Sequence, residues 1–253
     1  MAHRLLKASL AIFLGLATML SPGKSYTDDI LKGLRGPKNW QVDERVSWFR
    51  NDKDTETTTN SLILKYWDGD RSGKWGFISL PYKSIESQEG SNSGLGDVSV
   101  GFGPRFSGDN LHCLSYVALT FPTGDSGEEV SLGNGRLDTK LGILTTYLSP
   151  KKTFEIDASL EYNFTGENKQ GDDPTNEVSG GCVSGGKITN EVGFATGLIG
   201  LINENSDYSI SSRTILRYTA SPGLHFEFVG DIGIRAEELI RGNGVGFFVR
   251  CNF

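Results

Sequence analysis

The sequence is poor in the residues that build metal sites, disulfide frameworks and low-complexity segments. Its 253 residues include only three cysteines, three histidines, two methionines and eight prolines. Cys113, Cys182 and Cys251 are odd in number and widely spaced, so they predict neither a metal site nor paired disulfides. The 33 glycines are accompanied by few and scattered prolines, which excludes a collagen-like chain.

Long apolar stretches are also scarce. Hydrophobic residues make up 37% of the chain and the mean hydropathy is −0.28, which excludes a helical membrane protein. These values do not exclude a membrane β-barrel, because its strands are apolar only at alternate positions. The length fits one large all-β domain or two small ones.

The N-terminal apolar run is typical of a secretory signal. A basic start at residues 3–7 precedes the apolar segment from Ala8 to Leu20, and small residues follow near Ser21 to Ser25. We predict a signal peptide over residues 1–25, cleaved after Ser25, and a short periplasmic leader over residues 26–39. No cysteine directly follows that cleavage position, so lipoprotein processing is not expected.

Basic residues are fewer than acidic ones. The formal net charge is −6, and removal of residues 1–25, which hold three basic residues and no acidic ones, changes it to −9. An acidic mature chain argues against nucleic acid as a partner. No part of the sequence predicts a cofactor.

The mature chain is instead rich in segments in which apolar and polar residues alternate. The clearest is residues 154–164, where large apolar residues alternate with Glu, Asp, Ser and Asn. Since successive side chains of a strand point to opposite faces, each such segment has one apolar and one polar face. About twelve of these segments between residues 40 and 253 predict an all-β fold.

Two all-β folds accommodate this alternation. One is a secreted β-sandwich with a buried apolar face, and the other is a transmembrane antiparallel up-and-down β-barrel with its apolar face toward lipid. The connections favour the barrel. Short turns near residues 70, 109, 150, 190 and 222 alternate with generally longer polar loops, as periplasmic turns and outer loops do in outer-membrane barrels.

The aromatic residues of the apolar phase also favour the barrel. They gather at strand ends, where the interfaces of a membrane would lie. Those beside the short turns or the C-terminus are Phe106, Tyr147, Phe154, Tyr218, Phe226 and Phe253. Those at the opposite ends are Trp48, Phe121, Tyr162 and Phe164.

The last ten residues, Gly244 to Phe253, resemble the terminal strand of bacterial outer-membrane barrels. Every second residue counted back from Phe253 is apolar. The resemblance implies that this strand closes the sheet, that the barrel contacts outer-membrane lipid, and that the barrel-insertion machinery recognises the strand end at Phe253.

Several short stretches, taken together, resemble one bacterial outer-membrane family. They are Ser79 to Tyr82, Gly94 to Gly103, Leu119 to Asp125, Leu132 to Asp138, and Tyr162 to Gly166. Their order and spacing are similar to those of the family called MetA-pathway of phenol degradation. The resemblance implies a barrel of about twelve strands in the outer membrane of a Gram-negative bacterium. It also implies a link to uptake of hydrophobic or aromatic compounds, and it provides no catalytic or ligand residues to carry over.

Two glycine motifs are better explained by structure than by ligand binding. Gly181 to Lys187 spells G-x-x-x-x-G-K, but Ile188 follows where a phosphate-binding loop needs Ser or Thr, and no amphipathic helix follows. Gly94-x-Gly96 lacks the third glycine of a dinucleotide fingerprint and enters a strand. We therefore expect small residues on a strand in the first case and a loop-to-strand junction in the second.

The sequence does not predict an enzyme. The mature chain holds only two histidines, His112 and His225, and both are predicted near periplasmic turns in the inward phase. A barrel phospholipase or protease would need a histidine at the lipid-facing surface or near the outer rim. A barrel hydrolase therefore remains only a minor alternative.

Charged residues in the non-apolar phase are the predicted functional residues. A barrel would enclose them as a lumen lining, where they can pair into a ladder that fills the interior or set passage and selectivity. We expect Arg213 and Arg217 to meet Glu227 and Asp231 across adjacent strands. The lumen-lining candidates are Asp97, Arg105, Asp138, Lys140, Glu155, Asp157, Glu161, Arg213, Arg217, Glu227, Asp231 and Arg250.

The resulting functional prediction is an outer-membrane channel or transporter-like barrel for small solutes, including hydrophobic or aromatic ones. The alternative is a structural or adhesive barrel whose lumen is plugged and passes nothing.

Overall fold

A computed structural model describes residues 39–51, 54–68, 72–125, 130–151, 153–166, 175–221, 223–237 and 242–252. The expected signal peptide and most of the leader lie outside these residues, as does Phe253, so those predictions and the recognition of Phe253 stay predictions. No helix among the described residues is long and apolar enough to cross a membrane.

The described chain forms thirteen antiparallel β-strands. They are β1 (Asn39–Asn51), β2 (Glu56–Trp67), β3 (Ser72–Ser87), β4 (Gly90–Leu95), β5 (Val98–Ser107), β6 (Leu111–Phe121), β7 (Asp138–Leu148), β8 (Phe154–Phe164), β9 (Glu177–Lys187), β10 (Val192–Asn203), β11 (Tyr208–Ser221), β12 (Leu224–Glu237) and β13 (Gly242–Asn252).

The sheet closes on itself into a barrel of twelve strand positions. β1 pairs with β2 on one side and with β13 on the other, which joins the two ends of the chain's strand order. β3 pairs with β5 along its first half and with β4 along its second half. β4 and β5 therefore occupy one position, interrupted at Gly96 and Asp97, and the prediction of about twelve strands in an up-and-down barrel is confirmed.

A polar composition such as that of Ser84 to Ser93 is typical of a loop, but this segment forms parts of two paired strands. β3 continues to Ser87, the chain turns at residues 88–89, and β4 returns along it. The segment has no apolar alternation, but its backbone groups are satisfied across the hairpin, and Asn92 Nδ2 donates to the Val130 carbonyl at 2.9 Å. Backbone pairing with a neighbouring strand, rather than burial, makes this segment extended.

The sequence predicts short connections at one end of the barrel and longer ones at the other. The first expectation holds throughout, but the second holds only in part. The end that carries Asn39 and Asn252, here called the periplasmic end, has short connections throughout, such as residues 108–110 and 188–191. At the outer end, only β6–β7 and β8–β9 are separated by many residues, 122–137 and 165–176. The other four pairs of successive strands at that end, β1–β2, β3–β4, β10–β11 and β12–β13, are separated by four residues or fewer.

The apolar phase of the strands covers the outside of the barrel. Large side chains at alternate positions are exposed on all sides, among them Leu64, Leu80, Phe102, Leu141, Leu160, Leu198, Leu216, Phe228 and Val245. The aromatic residues at the strand ends lie in the same phase, and Tyr218, Phe226 and Phe247 form a stacked row with centroid separations of 6.3 and 6.0 Å. A β-sandwich would bury these side chains between two sheets, so the sandwich alternative is wrong.

The inside of the barrel is not uniformly polar. Val183, Ala195, Ile215 and Val229 form one buried cluster against which Phe248 packs. A second cluster, Leu114, Tyr116 and Ala118, packs against Trp75, Phe77 and Leu144. These residues share the phase of the charged side chains, so the lumen wall has apolar patches that strict alternation does not predict.

The lipid-facing assignment predicts the effect of a charge on the outer surface. Leu160 on β8 is 59% exposed, and we expect Leu160→Arg to lower the free energy of unfolding by about 2–4 kcal/mol, because arginine near the bilayer midplane is poorly solvated. Urea unfolding in lipid vesicles measures this. Ile188→Arg is the control, since Ile188 is 66% exposed in a periplasmic turn. Equal stability of the two variants would contradict the assignment.

The glycines of β9 and β10 predict a second effect. A Cβ on Gly185 would lie 2.7 Å from the Ala195 Cβ and would also meet the Phe194 backbone, so Gly185→Ala must push the two strands apart. We expect a loss of about 1–3 kcal/mol. Gly230→Ala is the matched control, because a Cβ there meets nothing within 4 Å, and its midpoint in urea should stay at the wild-type value.

Candidate functional site in the barrel lumen

The predicted lumen residues all lie in the phase opposite to the exposed aliphatic side chains. Eleven of them are on strands, and Asp97 lies in the break between β4 and β5. They do not form one group. Some meet in a network at the periplasmic half of the barrel, some form separate pairs, and two hold the outer loops.

The first centre of the network is the buried carboxylate of Asp43 on β1. Three cations converge on it, with Lys65 Nζ at 2.8 Å, Arg250 Nε at 3.3 Å and Arg45 at 3.5 Å. Gln41 also donates its amide to Asp43 Oδ1 at 2.5 Å. These residues come from β1, β2 and β13, which are neighbours in the sheet.

The second centre is the guanidinium of Arg217 on β11. It contacts Glu155 and lies 3.3 Å from both Asp157 on β8 and Glu227 on β12. Glu227 also lies 3.7 Å from Arg250, so the two centres are connected. Arg217 and Glu227 are register partners, as the sequence predicts.

Arg217 reaches β8 across two intervening strands. Arg217 faces Gly193 on β10, while Glu155 faces Gly185 on β9, and Gly185 faces Ala195 on β10. Because Gly193, Gly185 and Ala195 carry almost no side chain, the long arginine can lie over β9 and β10 within the barrel. The glycine-rich β9, which contains the G-x-x-x-x-G-K sequence, therefore acts as a flat wall and not as a phosphate loop.

The network is electrically polarised although its charges balance. Three cations surround one carboxylate at Asp43, whereas three carboxylates surround one guanidinium at Arg217. Charges enclosed in protein interact over several ångströms with little screening. The lumen wall of β1, β2 and β13 is thus more positive than the wall of β8 and β11.

Other predicted residues form separate pairs. Arg213 donates two hydrogen bonds of 2.8 Å to Asp231, its register partner on β12. On the opposite wall, Glu161 accepts a hydrogen bond from Tyr116 and lies 3.3 Å from Lys140. The pairing of Arg213 with Asp231 is the one that the sequence predicts.

Arg105 lies at the periplasmic end of β5 and takes part in an aromatic contact. Its guanidinium carbon is 6.0 Å from the ring centroid of Trp67, which is itself buried. This geometry is that of a cation–π contact, so Arg105 joins the walls of β2 and β5 inside the barrel.

Asp97 and Asp138 hold outer loops instead of lining an open lumen. Asp97 accepts backbone N–H groups of Gly124 at 3.0 Å and Asn134 at 2.6 Å. Asp138 accepts from Gly166 at 3.0 Å and pairs with Arg136 at 3.3 Å. The glycine and turn motifs of the sequence therefore lie close together in the fold. They contain the backbone N–H groups that these two carboxylates accept.

The two histidines are enclosed in the barrel wall. His112 Nδ1 lies 2.6 Å from Ser107 Oγ, and His225 Nδ1 lies 3.1 Å from Thr219 Oγ1, each across its own hairpin. Ser107 and His112 are both buried, so Ser107 is not exposed at the lipid-facing surface, where a phospholipase nucleophile would have to be. Among the described residues, no group of three or more His, Cys, Asp or Glu is arranged to hold a metal ion.

Sequence reasoning missed the residues around the first centre, Gln41, Asp43, Arg45 and Lys65. A usable signal exists, because Asp43 and Arg45 alternate with the apolar Val42 and Val46. Glu44 falls in the apolar phase of β1 and obscures that alternation.

Comparisons with known proteins agree with this architecture. The model of a family described as "Putative MetA-pathway of phenol degradation" matches residues 21–250. The chain is similar in structure to the COG4313 outer membrane channel from Pseudomonas putida F1, with a TM-score of 0.68 and 15% identity over 92% of this chain and 100% of that one.

Two further solved structures have the same general fold. The NanC porin gives a TM-score of 0.56 at 13% identity, over 83% of this chain and 98% of that one. The beta domain of the Bordetella autotransporter BrkA gives 0.58 at 10% identity, over 86% and 100%. No curated protein sequence matches. At these identities the likeness shows a closed barrel of the outer-membrane type.

The role of Asp97 predicts a local effect on the outer loop. We expect Asp97→Asn to speed amide hydrogen exchange in residues 130–137 about tenfold or more, because an amide cannot accept both charge-assisted bonds. Mass spectrometry of peptides from exchanged protein measures this. Asp54→Asn is the control, since Asp54 pairs with Arg50 at the exposed end of β1. Unchanged exchange in Asp97→Asn would contradict the anchoring role.

Proposed function

Since the chain belongs to the MetA-pathway of phenol degradation family, we propose that it is an outer-membrane channel for small solutes, hydrophobic and aromatic ones among them. Two structural relatives described as a channel and a porin support the channel role. The proposed class of solutes is inferred from the side chains that line the lumen of this chain.

The two chemically different walls of the lumen are the observation that carries the proposal. Trp75, Phe77 and Tyr116 face the interior as one aromatic group, with Trp75 5.6 Å from each of the other two ring centroids. The charged network lies on β1, β8 and β11 to β13. A solute with an apolar body gains contact with the aromatic wall, while its polar groups find partners on the charged one.

Glycines on the neighbouring strands leave space for the rings of the aromatic wall. A Cβ on Gly101 would meet the Phe77 ring, and one on Gly142 would meet the Tyr116 ring. The Phe77 and Tyr116 rings therefore lie over the glycine positions of the neighbouring strands.

A plugged structural barrel is the second candidate, and the crossing of Arg217 favours it. This side chain joins β11 to β8 and occupies the periplasmic half of the interior. If the network never opens, the barrel passes nothing.

Conductance in planar bilayers, together with solute flux into liposomes, separates the two candidates. We expect the wild-type protein to conduct. Arg217→Gln should conduct more and prefer cations, because Glu155, Asp157 and Glu227 lose their shared counter-ion. The double variant Glu155→Gln, Asp157→Asn should also conduct more but shift toward anions.

Folding of every variant is checked by heat-dependent migration on gels. Arg50→Gln is the matched control, because this exposed arginine lies at the outer end of β1 and away from the network. Silence of the folded wild-type protein and of both lumen variants would favour the plugged barrel and reject the channel.

A further inference from the structure

A cavity of about 450 Å³ lies in the lumen wall formed by β1, β11, β12 and β13. Gly244 and Gly246 of β13 line it, and the rings of Phe49 and Phe248 lie close to these two glycines. This volume lies within the range of about 300–1,000 Å³ that is usual for small-molecule sites. The cavity is therefore large enough for a one-ring solute.

The floor of the cavity is apolar. Ile215 and Val229 belong to the buried interior cluster, and Phe248 packs against them. The floor offers a hydrocarbon and ring surface to a bound molecule. A fully hydrophilic solute would leave this surface without a suitable partner.

Arg45 lies beside this floor, and 38% of its side chain is exposed. Its guanidinium carbon lies 5.2 Å from the ring centroid of Phe248. Its Nε is buried, so a ligand can reach only the terminal nitrogens of the guanidinium. Its contact with Asp43 is 3.5 Å, longer than the contacts that Lys65 and Arg250 make with the same carboxylate. The negative charge of Asp43 is therefore compensated mainly by Lys65 and Arg250, and Arg45 can bind a second anion.

The remaining charged residues of the cavity are engaged. Arg213 and Asp231 bind each other through two hydrogen bonds. Glu227 lies between Arg217 and Arg250. Among the charged residues that line the described cavity, Arg45 is thus the residue that can bind a ligand.

We propose that this cavity is a binding subsite for a small organic anion with an apolar body, a monocarboxylate on an aromatic ring. The carboxylate accepts N–H groups from the exposed end of Arg45, whose planar fork matches it, and the ring lies on Ile215 and Val229, beside Phe248. The positive excess around Asp43 favours an anion over a cation at this wall. The subsite rests on the proposed function, because it names the solute class that the lumen selects.

Binding of benzoate to the purified barrel in a non-ionic detergent tests this subsite. Calorimetry compares benzoate with benzyl alcohol and benzylammonium, which have the same ring but a neutral and a positive head. We expect wild-type protein to bind benzoate at least about tenfold more tightly than either analogue, since a charge-assisted pair is worth about 1.5–3 kcal/mol.

Arg45→Gln should weaken benzoate binding about tenfold or more and leave benzyl alcohol binding unchanged. Arg50→Gln, on the same strand but exposed and paired with Asp54, should bind all three compounds as wild type does. Should Arg45→Gln fail to fold, Arg45→Lys keeps the charge and should lose part of the benzoate preference, because an ammonium cannot bind both oxygens in a planar fork.

Two results would overturn the subsite: benzoate binding no tighter than benzyl alcohol in wild type, or an unchanged preference in both folded Arg45 variants. The channel proposal fails separately, through absence of flux and conductance. Solute flux without benzoate preference would thus reject the subsite alone, and benzoate binding without flux would reject the channel alone.

Discussion

The pairing of β1 with β13 is the interaction on which the rest of the structure depends. It runs from Gln41 opposite Asn252 to Asn51 opposite Gly242, and it gives β1 and β13, the first and last strands, a partner on both sides. In lipid an unpaired strand edge is too costly to persist, so a sheet of this size must close. Closure also divides the side chains into two sets. Leu160 and Phe228 then lie on the outside, and Glu155 and Glu227 are enclosed.

Enclosure obliges the charged side chains to satisfy one another. Buried charges without partners cost several kcal/mol, so the charged residues of the lumen meet groups of opposite charge, some in one network and some in separate pairs. Three carboxylates surround Arg217, and three cations surround Asp43. This arrangement leaves the wall of β1, β2 and β13 more positive than the wall of β8 and β11.

Much of the fold follows from local pattern. The alternation in β8 and the turn chemistry at its ends place Leu160 outside and Glu155 inside without knowledge of any neighbour. The pairing of Arg213 with Asp231 also follows, because adjacent antiparallel strands and a short turn nearly fix the register. The hairpin of β3 and β4 does not follow, since its polar residues carry no periodicity and become strands only through their partners. Asp43 was missed because Glu44 obscures the pattern of β1.

Local sequence patterns are enough to predict about twelve strands with aliphatic residues on one face and charges on the other, because side-chain direction along a strand is a local property. Three features depend on the closed barrel. Arg217 contacts Glu155 over the glycines of β9 and β10, Asp97 binds loop amides from two distant segments, and Arg45 lines a cavity. These contacts join residues far apart in the chain, and only the curvature and register of the closed barrel bring them within reach.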